Sequence, residues 1–262
     1  MMLRLLPGLL LAALAVGCAH GPDDDDFDSD WEAPAFQTLP VRGMPKDTEM
    51  TRLLEPYRAE VDKWRLPIGQ SAAPMEIFRR ECALNTWVAD AAREHASTVT
   101  GKPVDMVMLN AGGVRASMPG GEVSYYDIAQ ILPFENTLVV MDLAPANLES
   151  VMAAVAAQKG RTALSGFTIE ADSEGKLISF KIGGEAPDPS RTYTFATVDF
   201  LAMGNGGFEV LKDLPHQNTN LLLRYAIADH VRAMTTRGEV ITAPADYSRQ
   251  TFGGLRVEEM KW

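Results

Sequence analysis

Three short stretches of this chain set glycine or proline beside polar or aromatic side chains in a way suited to holding a flat, polar ligand. They are Asn110-Ala111-Gly112-Gly113-Val114-Arg115, then Leu132-Pro133-Phe134-Glu135-Asn136, then Asp199-Phe200-Leu201-Ala202-Met203-Gly204-Asn205-Gly206-Gly207-Phe208. In the first, Gly112 and Gly113 let the backbone pass close to a ligand. Asn110 offers a donor and an acceptor, and Arg115 a fork of donors matched to phosphate or carboxylate. In the second, Pro133 fixes the backbone ahead of Phe134, which can hold that ring at a rim. In the third, Phe200 precedes a glycine-rich turn. Taken singly, each stretch also reads as ordinary structure: a tight turn with a surface arginine, a core phenylalanine, a packed turn.

Other chemistries find less support. Ser165-Gly166 is not a nucleophile elbow, and Cys82 has no evident catalytic partner. The run Asp23-Asp24-Asp25-Asp26 lacks the spaced ligands and turn glycine of a calcium loop. With 24 Lys and Arg against 35 Asp and Glu, the net charge is −11, and no basic cluster tracks a phosphate backbone, which excludes a nucleic-acid partner. An anion site must therefore be made locally, by a few arginines and backbone amides.

The elements that must position these stretches are legible from periodicity. Leu84, Val88, Ala91 and His95 recur at helical spacing, and Val104 to Leu109 reads as a strand covered on both faces. A strand from Leu138 to Leu143 leads into a helix with Pro145 in its first turn, apolar Leu148, Met152 and Val155 on one face, and Gly160 after its end. Phe167 to Ala171 and Leu177 to Ile182 flank Asp172-Ser173-Glu174-Gly175 as a hairpin, and Tyr193 to Val198 is a further strand. A last helix carries Leu223, Ile227, Val231 and Met234 and stops before Gly238. Crossover-linked and hairpin-linked strands together predict an α+β (mixed α/β) domain with a mixed β-sheet flanked by helices. Each ligand-suited stretch follows or precedes a strand end, where sites in open sheets lie.

The start of the chain predicts export. Arg4 precedes a short apolar run from Leu5 to Val16, and Leu14-Ala15-Val16-Gly17-Cys18 looks like a bacterial lipobox. We expect residues 1–17 to be a lipoprotein signal peptide, Cys18 to carry the lipid that attaches the chain to a membrane, and residues 18–45 to form an acidic flexible tether. The folded domain then covers 46–262, in the cell envelope, facing the periplasm or the surface. Ala19 after Cys18 weighs toward the outer membrane. With Cys18 lipidated, Cys82 has no cysteine to pair with, so stability rests on a core, for which a 46% hydrophobic composition suffices.

Taken together and in this order, the three stretches resemble the C-terminal, substrate-binding domain of 5′-nucleotidases and related UDP-sugar hydrolases. The likeness covers roughly 75–213 and includes Leu84-Asn85 through Asp90-Ala91, the segment 110–115, Pro133-Phe134, Ser165-Gly166, the hairpin, and Tyr193 to Phe208. It implies that Phe134 and Phe200 sandwich a nucleobase, that Asn110 is a base- or ribose-contacting amide, and that Arg115 contacts ribose or phosphate. It also implies a second substrate arginine at Arg79 or Arg80. Where the family has an aspartate that accepts hydrogen bonds from the ribose hydroxyls, this chain has Gly206, with Asn205 or Asp199 as the candidate substitutes.

In that family hydrolysis belongs to a separate metallophosphatase domain carrying Asp-x-His and Gly-Asn-His-Glu or Gly-Asn-His-Asp motifs. None of His20, His95, His216 and His230 stands in either. The expectation is a binding module for a nucleotide or nucleoside, with no catalytic residue, metal site or cofactor in this chain, the divalent metals belonging to the missing domain. A separate metallophosphatase is its candidate partner. Hydrolase activity in its own right and a ligand-free envelope scaffold are the alternatives.

Overall fold

The computed structural model describes residues 47–261; the expected signal peptide, Cys18 and the acidic run lie outside them. The described chain begins with helix α1 (Thr48–Trp64), which buries none of its residues, followed by strand β1 (Pro67–Ser71). Helix α2 (Ala83–Thr100) buries Leu84, Trp87, Val88, Ala91, Ala92 and Ala96 and ends where Gly101 takes the left-handed φ of 69°. Strand β2 (Met106–Asn110) has four fully buried residues before its last, as a strand covered on both faces must.

Strand β3 (Gly121–Ser124) pairs antiparallel with β1. Ser124 then caps helix α3 (Tyr125–Ile131) in a reciprocal box with Asp127. Strand β4 (Thr137–Leu143) leads into helix α4 (Pro145–Ala157), with Pro145 in the first turn, where its missing N–H costs nothing. Then come β5 (Thr162–Ser165), the hairpin β6 (Phe167–Ala171) and β7 (Leu177–Ile182), and β8 (Tyr193–Val198) with the one-turn helix α5 (Asp199–Ala202). Strand β9 (His216–Leu222) runs directly into helix α6 (Leu223–Thr236), and β10 (Gln250–Phe252) and β11 (Leu255–Arg256) close the chain.

The mixed sheet foreseen from the sequence is five-stranded, in the order β5-β2-β8-β4-β9, with β2 and β8 parallel and the other neighbours antiparallel. The hairpin does not join it. It forms a second sheet, β11-β10-β6-β7, in which β10 runs parallel to β6. Helices α2 and α6 pack together, α2 lying on β2 and β5; α4 packs on β4 and reaches β6 and β7 of the second sheet.

Register decides where the loops emerge. Met106 of β2 lies opposite Phe195 of β8, and Leu138 of β4 opposite Val198 of β8. Asn110 lies opposite Thr162 of β5, and Thr137 opposite Leu222 of β9. The C-terminal ends of β2, β8 and β9 and the N-terminal ends of β4 and β5 thus share one end of the sheet.

Candidate functional site

That end carries all three stretches singled out in the sequence. Asn110 is the last residue of β2, and the chain leaves it through a 3-10 turn over Ala111–Gly113. The Ala111 amide donates to the Arg161 carbonyl at 2.9 Å, tying the turn to the start of β5. A methyl group on Gly113 would stand 3.3 Å from Asn110 Oδ1 and 3.5 Å from Nδ2, so the glycine is what lets the Asn110 amide fold back over the turn.

The Arg115 amide donates to the Ile131 carbonyl at 2.8 Å, which brings this turn against the loop between α3 and β4. Across that contact the Arg115 guanidinium stands 5.9 Å from the centroid of the Phe134 ring, within reach of a cation–π interaction. Phe134 is 48% exposed and Phe200, on α5 beyond β8, is 41% exposed. Two large rings left open to water at one end of a sheet are unlike the core phenylalanines Phe195 and Phe208, which are fully buried. The core reading of Phe134 is thereby set aside.

Each ring rests on a specific anchor. Arg224, at the start of α6, donates to the carbonyls of Pro133 at 3.2 Å and Phe134 at 3.4 Å, and to Glu135 Oε1 at 3.3 Å. Asp199 Oδ1 accepts the Phe200 amide at 2.8 Å while its Oδ2 accepts the Thr137 hydroxyl at 3.0 Å, and Asn218 donates to Thr137 Oγ1 at 2.8 Å. With both oxygens engaged, Asp199 works as a support for the Phe200 turn. Asn205 donates through Nδ2 to the Phe200 carbonyl at 3.0 Å and is itself exposed. Gly206 has φ 68°, and a Cβ there would lie 3.5 Å from Phe200 Cε1 and 3.2 Å from Leu201 Cδ2. The position where the family's aspartate is expected therefore borders the Phe200 ring.

A pit of about 20 Å³ opens between Asn110, Gly113, Phe134 and Asn136, floored by Val88, Leu132 and Leu223. That space holds about one water molecule, too little for a base; Phe134 lines it and Phe200 does not. Arg79 and Arg80 do not line it. Both stand on the loop before α2, where Arg80 Nη1 donates to the Lys159 carbonyl at 2.5 Å; burial, then the nearby Arg161 charge, lower its pKa. Sequence reasoning named Asn136 as the end of the second stretch without giving it a role, and it passed over Arg224, some ninety residues from the loop it holds, for which no local pattern gives a sign.

Among the described residues no group of three or more His, Cys, Asp or Glu side chains could hold a metal ion. His216 bonds the Leu214 carbonyl, and His230 faces Glu94 at 3.8 Å. This donor set does not fit a two-cation hydrolytic centre.

Residues 67–213 match the family model of the 5′-nucleotidase C-terminal domain. The chain is 33% identical over 123 residues to protein UshA of Yersinia enterocolitica, covering 45% of this chain and 22% of that protein. It is 27% identical over 225 residues to an apyrase of Tabanus yao, covering 74% of this chain and 41% of that protein. In fold it is similar to the 5′-nucleotidase precursor of Thermus thermophilus, with TM-score 0.66 at 23% identity over 79% of this chain and 44% of that one. NAD nucleotidase of Haemophilus influenzae is similar at TM-score 0.60 and 20% identity, over 79% of this chain and 42% of that one. The chain spans less than a third of the length of the UshA proteins it matches, 22% and 28% in two of them. A match over residues 67–213, on a fold shared with solved nucleotidases, makes this chain a member of the 5′-nucleotidase C-terminal domain family.

Proposed function

We propose that this end of the five-stranded sheet binds a nucleotide or nucleoside, its base stacked between Phe134 and Phe200, with Asn110 and Asn136 meeting polar edges and Arg115 the ribose or phosphate. The observation that carries the reading is the exposure of the two rings, at 48% and 41%, on loops that strand register delivers to one place. Stacking contributes about 1 kcal/mol per ring face. Gly112 and Gly113 keep the backbone low beneath the ligand. In this reading the chain is a binding module, and cleavage requires the divalent cations of a separate metallophosphatase. The Leu14–Cys18 stretch supports attachment of Cys18 to an envelope membrane.

Titration calorimetry with adenosine, AMP and UDP-glucose tests the binding. Saturable heat with at least one of them, lost in Phe134→Ala/Phe200→Ala, is the expected result, and no heat with any of the three contradicts it. Cation-dependent phosphate release by the purified chain alone would contradict the division of labour. Gly206 and the small pit favour one competing reading, a ligand-free scaffold, which the same titration separates.

A further inference from the structure

Asn205 is the one asparagine of this chain with glycine after it; the other six precede alanine, threonine or leucine. An asparagine side chain is open to attack by the amide nitrogen of the next residue, and only glycine presents that nitrogen with no side chain to shield it. Asn205 and Gly206 are both exposed, in a short 3-10 turn that buries none of its residues. A single side-chain hydrogen bond restrains the Asn205 amide, from Nδ2 to the Phe200 carbonyl at 3.0 Å, and it lies at the surface. Ring closure onto the Gly206 nitrogen requires the turn to open. With no buried contact to break and Gly206 already at φ 68°, that opening meets little resistance.

We propose that Asn205 is a site of spontaneous deamidation, and that the product sets a carboxylate on the turn that carries Phe200. The Gly206 nitrogen bonds to Asn205 Cγ, the Cγ–Nδ2 bond breaks, and the side-chain nitrogen leaves as ammonia with the proton of the Gly206 amide. Water then opens the five-membered imide at Cγ, giving aspartate, or at the main-chain carbonyl, giving isoaspartate. Over both steps water is consumed and ammonia released, with no oxidant or cofactor. Either product loses the Nδ2 donor, and its carboxylate, an acceptor only, is repelled by the Phe200 carbonyl and turns outward. The turn thereby gains an acceptor one residue before Gly206, where the family pattern places its aspartate. Asp199 does not supply it, because both its oxygens are engaged. The modification stands on the turn alone; its effect on a ligand rests on the clamp reading.

Peptide mass spectrometry of the full chain, fresh and after weeks at physiological temperature, tests the modification, and calorimetry with adenosine and 2′,3′-dideoxyadenosine tests its effect. Asn205 is expected to convert ahead of the other six asparagines, into aspartate and isoaspartate peptides of equal mass that separate by chromatography. Asn205→Gln, whose longer side chain closes a ring less readily, stays an amide. Asn205→Asp binds adenosine at least about fivefold more tightly than the fresh wild type and gains nothing for the dideoxynucleoside. An Asn205 that remains an amide, or a gain in Asn205→Asp that is absent or equal for the two ligands, overturns the proposal. If neither form holds any ligand, the clamp reading fails instead, and the mass result decides the modification by itself.

Discussion

Asp199 holds the Phe200 amide at 2.8 Å with one carboxylate oxygen and the Thr137 hydroxyl at 3.0 Å with the other. One side chain thereby fixes the turn that presents Phe200 and links it to the start of β4, the strand that follows the Phe134 loop. Asp199→Ala removes both bonds and leaves the half-buried Thr137 hydroxyl with only the Asn218 donor. We expect a loss of about 1–3 kcal/mol in urea denaturation and weaker ligand binding. Unchanged affinity in a destabilised variant would mean that the turn does not depend on this support.

Arg224→Ala should act on the other ring. Its guanidinium group organises Pro133, Phe134 and Glu135 from a side chain only 15% exposed. Removing it costs about 1 kcal/mol of positioning, roughly a fivefold rise in the dissociation constant measured by calorimetry. Arg224→Lys recovers little, because a point charge cannot span two carbonyls and a carboxylate.

Gly206→Asp should restore the acceptor that the family pattern places beside the second ring. The left-handed φ of 68° is one aspartate tolerates, and the nearest neighbour to give way is the end of the Leu201 side chain, 3.2 Å from the new Cβ. A carboxylate hydrogen bond contributes about 1.5–3 kcal/mol. Affinity for adenosine should rise about tenfold while that for 2′,3′-dideoxyadenosine stays level; equal gains for both would place the new carboxylate away from the ribose.

Glu81 predicts a pH dependence of stability. It is buried and accepts the Gln250 amide at 3.1 Å and Gln250 Nε2 at 3.1 Å. Burial pushes its pKa up to about 8, outweighing the hydrogen bonds from Gln250 and the nearby Arg249 charge, which pull it down. An unfolded glutamate titrates near 4.3. Between those values the folded chain keeps a proton that the unfolded chain has released. This contribution is therefore full below about pH 4 and is lost as pH rises toward 8. Glu81→Gln should flatten the slope of the unfolding free energy between pH 5 and 8; an unaltered slope would show that Glu81 is not its source.

Local pattern and long-range pairing divide what the sequence revealed. The helix starting at Pro145, the hairpin around Asp172 and the strand from Tyr193 to Val198 are found where periodicity and turn residues place them. The expected strand from Val104 begins two residues later, at Met106, and the family match begins at 67 instead of 75. The division into a five-stranded and a four-stranded sheet was not legible. It depends on β10 pairing with β6 across some eighty residues, and Gln250–Phe252 is too short to announce itself as a strand. The same holds at the site. Phe134, Phe200, Asn110 and Arg115 stand out because glycine or proline sits beside them, whereas Arg224 earns its place only through contacts across the fold.

The central claim is the aromatic clamp, and the thermal unfolding midpoint with and without adenosine, AMP or UDP-glucose tests it most directly. At a hundredfold excess over the dissociation constant, binding to the native state adds about 2.7 kcal/mol, a shift of roughly 5–10 °C for a domain of this size. We expect that shift in the wild type and its loss in both Phe134→Ala and Phe200→Ala. A wild-type midpoint that moves with none of the three, or a shift that survives both substitutions, would contradict the clamp.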